Sequence, residues 1–337
     1  MRKYFCIFIC LLLLAGTTFS CNFAYAEDFS TSAQGAVVIE RESGRVLYQK
    51  NAEMHLPMAS TTKIVTALTI LRNCSLCDVV TMPKEACGVE GSSVYLKPNE
   101  KLTVEELLYG LMLRSGNDCA VALALHCSGS IEKFADEMNL VAASVGCMDS
   151  HFVNPHGLHD DAHYTSAKDL ATITCAALRN EDFSKIVSTQ SKRIGGGGAD
   201  VRVLINKNKL LKNHPCGDGV KTGYTKKAGR CFVGSATKNG IQVVVVVLNC
   251  VGMFEETEKM LDVAFEKYSR VVLVPRGKVC CASDGKGYYV CDDEFAYPLC
   301  SNDDVSKSIV CEENNLYVKL LLNGELIGKV PMRFCDG

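Results

Sequence analysis

At 337 residues the chain is long enough to bury one large core and a small second unit. Its formal charge of -2 excludes a broad basic surface of the kind that binds nucleic acid. The 19 cysteines are the unusual component, and they raise the question of disulfides or metal before any motif is considered.

The first residues read as an export signal. Arg2 and Lys3 form a positive start, and Phe5 to Ala15 form an apolar stretch too short to span a bilayer. Ala24-Tyr25-Ala26 is a small-residue cleavage signature, so residues 1–26 are expected to be removed and the mature chain to begin at Glu27. A lipid-modified Cys21 fits poorly with the preceding Thr18-Phe19-Ser20. Ala36–Glu40 and Arg45–Gln49 then read as paired strands turning at Glu42-Ser43-Gly44.

Ser60-Thr61-Thr62-Lys63 precedes a run in which Ile64, Ala67, Leu68 and Leu71 recur at helical spacing. Positions three apart share a helix face, which places the Lys63 amine beside the Ser60 hydroxyl. The helix start offers unpaired N–H groups and a positive field. Burial and a second cation would lower the Lys63 pKa, and a neutral amine could take the serine proton. Taken alone, the motif also reads as an ordinary helix with a Ser/Thr start and a solvated lysine.

Thr103 and Glu106 form a capping-box pattern ahead of Leu107, Leu108, Leu111 and Met112. Residues 119–125 read as a buried helix. Ser115-Gly116-Asn117 between them reads as a turn, with Gly116 expected to let the backbone bend. Asn154-Pro155-His156-Gly157-Leu158, with His159 and His163, is a histidine-bearing loop. It lacks an organised carboxylate set, so a braced loop is the expectation and no metal site is assigned. Gly195-Gly196-Gly197-Gly198 reads as a loop without the strand–helix frame of a phosphate cradle.

Residues 219–248 carry the best hairpin signal. Lys221-Thr222-Gly223-Tyr224 opens it, and Asn239-Gly240 separates two apolar runs. Five consecutive valines, 243–247, predict a central strand covered on both faces. Lys221 and Thr222 would present a cation and a hydroxyl, and Gly223 would leave room for a peptide along the strand. Residues 255–269 read as an amphipathic helix. Beyond Val274-Pro275 short strands take over, with a hairpin at Asn323-Gly324.

Sixteen cysteines remain after residue 26. Cys119, Cys127, Cys175 and Cys231 sit in apolar runs and read as small buried hydrophobes. Cys280, Cys281, Cys291, Cys300, Cys311 and Cys335 are the better disulfide candidates. Cys74-x-x-Cys77 has no second C-x-x-C, so zinc is not expected there.

Three motifs in this order, S-x-x-K, S-x-N and K-T-G, form the pattern of penicillin-binding proteins and class A β-lactamases. The surrounding segments PMASTTKIVTAL (57–68), GSSVYLKPNEKLTVEELLYGLMLRSGNDCAVALA (91–124), FVNPHGLHDDAHYTSAKDLA (152–171) and NKNKLL…DGVKTGYTKKAGRCFVGSA (206–236) resemble low-molecular-mass penicillin-binding proteins, the serine-type D-alanyl-D-alanine carboxypeptidases that trim bacterial peptidoglycan. The resemblance is dense over residues 33–270. It implies an α/β (α+β) catalytic domain over 27–274, with an antiparallel sheet backed by helices, and a small β-rich domain over 275–337.

The same resemblance implies Ser60 as the acylated nucleophile and Lys63 as its base. Ser115 and Asn117 would line the cleft and relay protons or hold the peptide. Lys221 and Thr222 would hold a terminal carboxylate. The backbone N–H groups of Ser60 and Tyr224 would form the oxyanion hole. Many relatives carry histidine where this chain has Tyr224, a change that leaves the backbone donor in place. No cofactor or metal is implied. The implied partners are peptidoglycan stem peptides, with β-lactams as covalent inhibitors, and the implied location is the cell-wall space. A class A β-lactamase would need an E-x-x-L-N segment, which is missing here. An endopeptidase, a transpeptidase or a non-catalytic β-lactam sensor remains as an alternative. No basic amphipathic stretch follows Val330, so no C-terminal membrane anchor is expected.

Overall fold

The valine run decides the centre of the molecule. A strand covered on both faces needs apolar residues at every position, and Ile241–Leu248 meets that condition. It is the third of five antiparallel strands, which run from edge to edge as Val46–Lys50, Gly35–Glu40, Ile241–Leu248, Gly229–Lys238 and Gly217–Thr225. The two-residue period sends Val244, Val246 and Leu248 into the larger core and Val243, Val245 and Val247 into a second one. Each buried valine contributes roughly 1.5–3 kcal/mol, so this strand joins both cores energetically. The computed structural model describes residues 28–196, 199–281, 287–313 and 315–336. The export signal read over 1–26 lies outside the described residues.

Helices cover both faces. Met253–Lys267 packs Met260, Leu261 and Ala264 onto the second core. The first core is closed by helices that include Lys63–Asn73, Val104–Leu113, Asn117–Ser128, Ile131–Ser144 and Ala167–Leu178. The capping box is formed: the Glu106 N–H donates to Thr103 Oγ1 at 3.2 Å, and the Thr103 N–H donates to Glu106 Oε2 at 2.9 Å. Both Asn-Gly turns take the left-handed conformation that a two-residue hairpin demands, with φ of 51° and 76° at Asn239 and Gly240 and 51° and 88° at Asn323 and Gly324.

Strands flank the glycine run on both sides. Ser191–Gly196 and Ala199–Ile205 form an antiparallel hairpin, with Gly196 paired to Ala199. Lys192, Arg193, Val201, Arg202 and Val203 lie in these strands, and Gly197-Gly198 lies outside the described residues.

Toward the C-terminus, Ser269–Val274 pairs with Phe295–Leu299. A five-stranded sheet follows in the order Gly277–Cys281, Gly287–Cys291, Glu325–Asp336, Asn315–Leu322, Val305–Glu312. Leu273, Val274, Tyr297, Val318, Leu320 and Val330 form a third apolar cluster beneath it. Arg45, from the first hairpin, pairs with Asp303 at 2.7 Å and donates to the Pro298 carbonyl at 2.6 Å. It also lies over the rings of Tyr268 and Tyr297. All sixteen cysteines of the described residues are free thiols, including the six C-terminal ones favoured for pairing. Among the described residues no helix is long and apolar enough to cross a membrane.

Candidate active site

Ala59–Thr62 forms one 3₁₀ turn that leads directly into the helix Lys63–Asn73. In a 3₁₀ turn, positions i and i+3 eclipse one another. Lys63 Nζ therefore lies 3.0 Å from Ser60 Oγ. The amine has two further partners, Asn117 Oδ1 at 2.7 Å and the His156 carbonyl at 2.6 Å. Asn117 is fixed in turn, because its Nδ2 donates to the Glu90 carbonyl at 2.5 Å. Its oxygen is thereby left facing the lysine.

Lys63 is fully buried. Burial pushes its pKa well below the ordinary lysine value, and the nearby Lys221 charge pushes in the same direction. A neutral amine carries two hydrogens and one lone pair. The two hydrogens satisfy Asn117 Oδ1 and the His156 carbonyl, which can only accept. The lone pair then faces the Ser60 hydroxyl, which is the arrangement that lets an amine accept the serine proton.

Ser115 and Gly116 exchange the roles expected of them. Ser115, not the glycine, takes the left-handed backbone, with φ of 63°. Gly116 has ordinary φ of -60° at the start of Asn117–Ser128. The glycine is demanded by packing: a Cβ there would lie 2.7 Å from Asp118 Oδ1 and 3.1 Å from Cys119 Sγ. Ser115 is buried at this turn, and its hydroxyl makes no hydrogen bond to Ser60 or Lys63 among the described residues. Asp118 braces the opposite loop by accepting from the Ser93 hydroxyl at 2.6 Å and from the Val94 and Leu96 N–H groups at 3.0 and 3.2 Å.

The strand Gly217–Thr225 is the free edge of the central sheet and runs past the Ser60 turn. Gly223 makes that approach possible. A Cβ there would meet the Met58 carbonyl and the Ser60 and Thr61 nitrogens at 3.0–3.1 Å. The space it leaves is taken by the serine turn itself, not only by a peptide. Lys221 is 2 % exposed, and its Nζ donates to the Thr222 carbonyl at 2.8 Å. Burial, with the Lys207 charge, lowers its pKa to about 7. Thr222 is half-buried beside it, and Tyr224 projects outward at 65 % exposure.

Sequence reasoning missed two contributors. The first is the His156 main-chain carbonyl, which no residue-type signal can announce. The second is Lys207, whose amine donates to Ser92 Oγ at 3.2 Å and whose charge acts on both cleft lysines. Its only sequence marker was the position between Asn206 and Asn208. The histidine loop is braced as expected. The Asn154 side-chain oxygen accepts from the Gly157 N–H at 2.7 Å, and buried His163 meets Thr62 Oγ1 at 2.9 Å.

The D-alanyl-D-alanine carboxypeptidase family matches residues 22–252. DacF of Bacillus subtilis is 37 % identical over 259 residues, covering 74 % of this chain and 67 % of that protein. DacA of Escherichia coli is 32 % identical over 261 residues, covering 73 % and 64 %. The chain thus spans about two thirds of the length of these curated relatives. Among solved structures, a mutant of a Streptomyces DD-transpeptidase is similar at 31 % identity and a TM-score of 0.66, over 70 % of this chain and 99 % of that one. The DacD carboxypeptidase of Francisella tularensis shares the fold over 93 % of this chain and 95 % of its own, with a TM-score of 0.75 at 22 % identity. With its motifs gathered in one cleft and most of its length matched, the chain belongs to the family of serine D-alanyl-D-alanine carboxypeptidases.

Proposed function

We propose that this protein removes the terminal D-alanine from peptidoglycan stem peptides through an acyl-enzyme on Ser60. The observation that carries this reading is the Lys63 amine, buried, held by two acceptors and 3.0 Å from Ser60 Oγ. Lys63 accepts the hydroxyl proton as Ser60 attacks the carbonyl of the penultimate D-alanine. The tetrahedral oxyanion sits against the N–H groups of Ser60 and Tyr224. The C–N bond breaks, D-alanine leaves with a proton, and water hydrolyses the ester. Lys221 and Thr222 hold the terminal carboxylate, and Ser115 and Asn117 line the cleft. The peptide lies along the free edge of Gly217–Thr225 as an added strand. A β-lactam acylates Ser60 by the same attack.

The test is D-alanine release from a synthetic peptide ending in D-Ala-D-Ala, with labelled penicillin as a second readout. Wild type should release D-alanine and label covalently, and Ser60→Ala should do neither. Labelling that survives Ser60→Ala would overturn the assignment. The likeness to a DD-transpeptidase supports a second reading, transfer of the acyl group to an amine. Adding an amine acceptor to the same assay separates the two by product. We further propose that residues 27–274 form the catalytic unit, acting outside the cytoplasm after export.

A further inference from the structure

We propose that Thr62 and His163 are positioning residues that aim the oxyanion donor, which gives the second variable position of the Ser60-x-x-Lys63 motif a role of its own. The inference rests on the acyl-enzyme reading above and assigns two side chains that the reading does not use.

Three links make the relay, the two at Thr62 fully buried. The Val153 N–H donates to His163 Nδ1 at 3.1 Å. A backbone amide can only donate, so Nδ1 is the bare nitrogen and the neutral ring carries its proton on Nε2. Nε2 then donates to Thr62 Oγ1 at 2.9 Å, and the Thr62 hydroxyl donates to the Ala59 carbonyl at 2.8 Å. Every donor and acceptor along the chain is used in one direction only. His163 is 3 % exposed and Thr62 fully buried, so water cannot replace either link.

The Ala59 carbonyl and the Ser60 N–H belong to one planar peptide group and point in opposite directions. Pinning the oxygen therefore aims the N–H. The group needs pinning, because Ala59 sits in the left-handed region at φ of 50°, where an alanine is strained. Gly157 presses on the same oxygen: a Cβ there would lie 2.0 Å from it. On the other side of the plane, the Ser60 nitrogen faces the strand edge at Gly223. Thr61 anchors the Met58 carbonyl at 2.7 Å in a similar way, but only Thr62 is tied outward to a second loop. The loop that supplies the His156 carbonyl to Lys63 thus also fixes the oxyanion donor, so base and donor share one support.

The experiment measures penicillin binding and acylation separately by stopped flow on the full-length protein. In Thr62→Val, which preserves shape and removes the hydroxyl, the acylation rate should fall about 10–100-fold, less than the about 10²–10³-fold loss for deleting such a donor outright. The preceding non-covalent binding should stay within about threefold of wild type. Thr62→Ser restores the hydroxyl and should return the rate to within a few-fold. Thr62→Ala removes the same hydroxyl with less bulk and carries the same expectation should the valine variant fail to fold. Acylation of Thr62→Val or Thr62→Ala at the wild-type rate, or equal losses in Thr62→Ser and Thr62→Val, would overturn the proposal. Absence of acylation in wild type would instead defeat the parent reading.

Discussion

Ser60, Lys63 and Asn117 stand on the helical wall of the cleft, and Lys221, Thr222 and Gly223 stand on the strand wall. The helical groups are tied across elements: Lys63 reaches Ser60, Asn117 and the His156 carbonyl, and Asn117 reaches the Glu90 carbonyl. The strand groups are tied within their own strand, with Lys221 donating to the carbonyl of its neighbour Thr222. Nothing among the described residues pairs with the outer edge of that strand. One wall is thus preorganised before any ligand arrives. The other keeps hydrogen-bonding capacity in reserve for a ligand. Catalytic positioning needs the first property and peptide capture needs the second.

This contrast predicts that damage to the helical wall lowers the chemical rate, whereas damage to the strand wall weakens binding. The largest effect after loss of Ser60 should come from Lys63→Arg. A guanidinium stays protonated at any working pH and cannot accept the serine proton. The acylation rate should fall about 10²–10⁴-fold, the range for a general base. Single-turnover acylation by penicillin measures it directly, and a loss confined to binding would erase the distinction between the walls.

Asn117→Ala should have the next largest effect. It removes one of the two acceptors that orient the Lys63 lone pair and leaves the Glu90 carbonyl without its donor. Losing buried hydrogen bonds of this kind costs about 1–3 kcal/mol, so acylation should slow roughly 5–150-fold with Lys63 and Ser60 intact. Asn117→Asp sharpens the point, because a carboxylate would favour the charged amine and slow the reaction further as pH rises and the carboxylate ionises.

Much of this was legible because the residues concerned announce themselves by type. The valines 243–247 can form only a strand covered twice, and Asn-Gly between apolar runs forces the hairpin. The motif order placed Ser60, Asn117 and Lys221 in one cleft. What escaped depends on three-dimensional packing rather than residue type. The sequence suggests Gly116 as the bend, yet Ser115 makes the bend and the glycine avoids Asp118 and Cys119. The sequence suggests Gly223 as room for a peptide, yet it first admits the Ser60 turn. The His156 carbonyl is a backbone atom that any residue could have supplied, and its place beside Lys63 comes from the path of the Asn154–Leu158 loop.

The strand wall yields the smallest and most diagnostic effect. Burial and Lys207 lower the Lys221 pKa to about 7, so the amine is charged below that pH and increasingly neutral above it. In the proposed reading, Lys221 must be charged to hold the substrate carboxylate. KM for a D-Ala-D-Ala peptide should therefore rise as pH moves from about 7 toward 9, approaching tenfold per unit at its steepest. The protein's stability should move the opposite way. Unfolded Lys221 would bind its proton up to about pH 10.4, so between that value and about 7 the unfolded chain holds more protons and stability rises with pH. Lys221→Met should remove the KM trend and its own share of the stability trend, leaving the share that buried Lys63, lowered in the same direction, contributes. The variant's KM should be high at pH 6, where wild type binds best, and the two proteins should converge near pH 9. A constant ratio of the two KM values across that range would mean that Lys221 acts by packing the strand against the Ser60 turn rather than by charge.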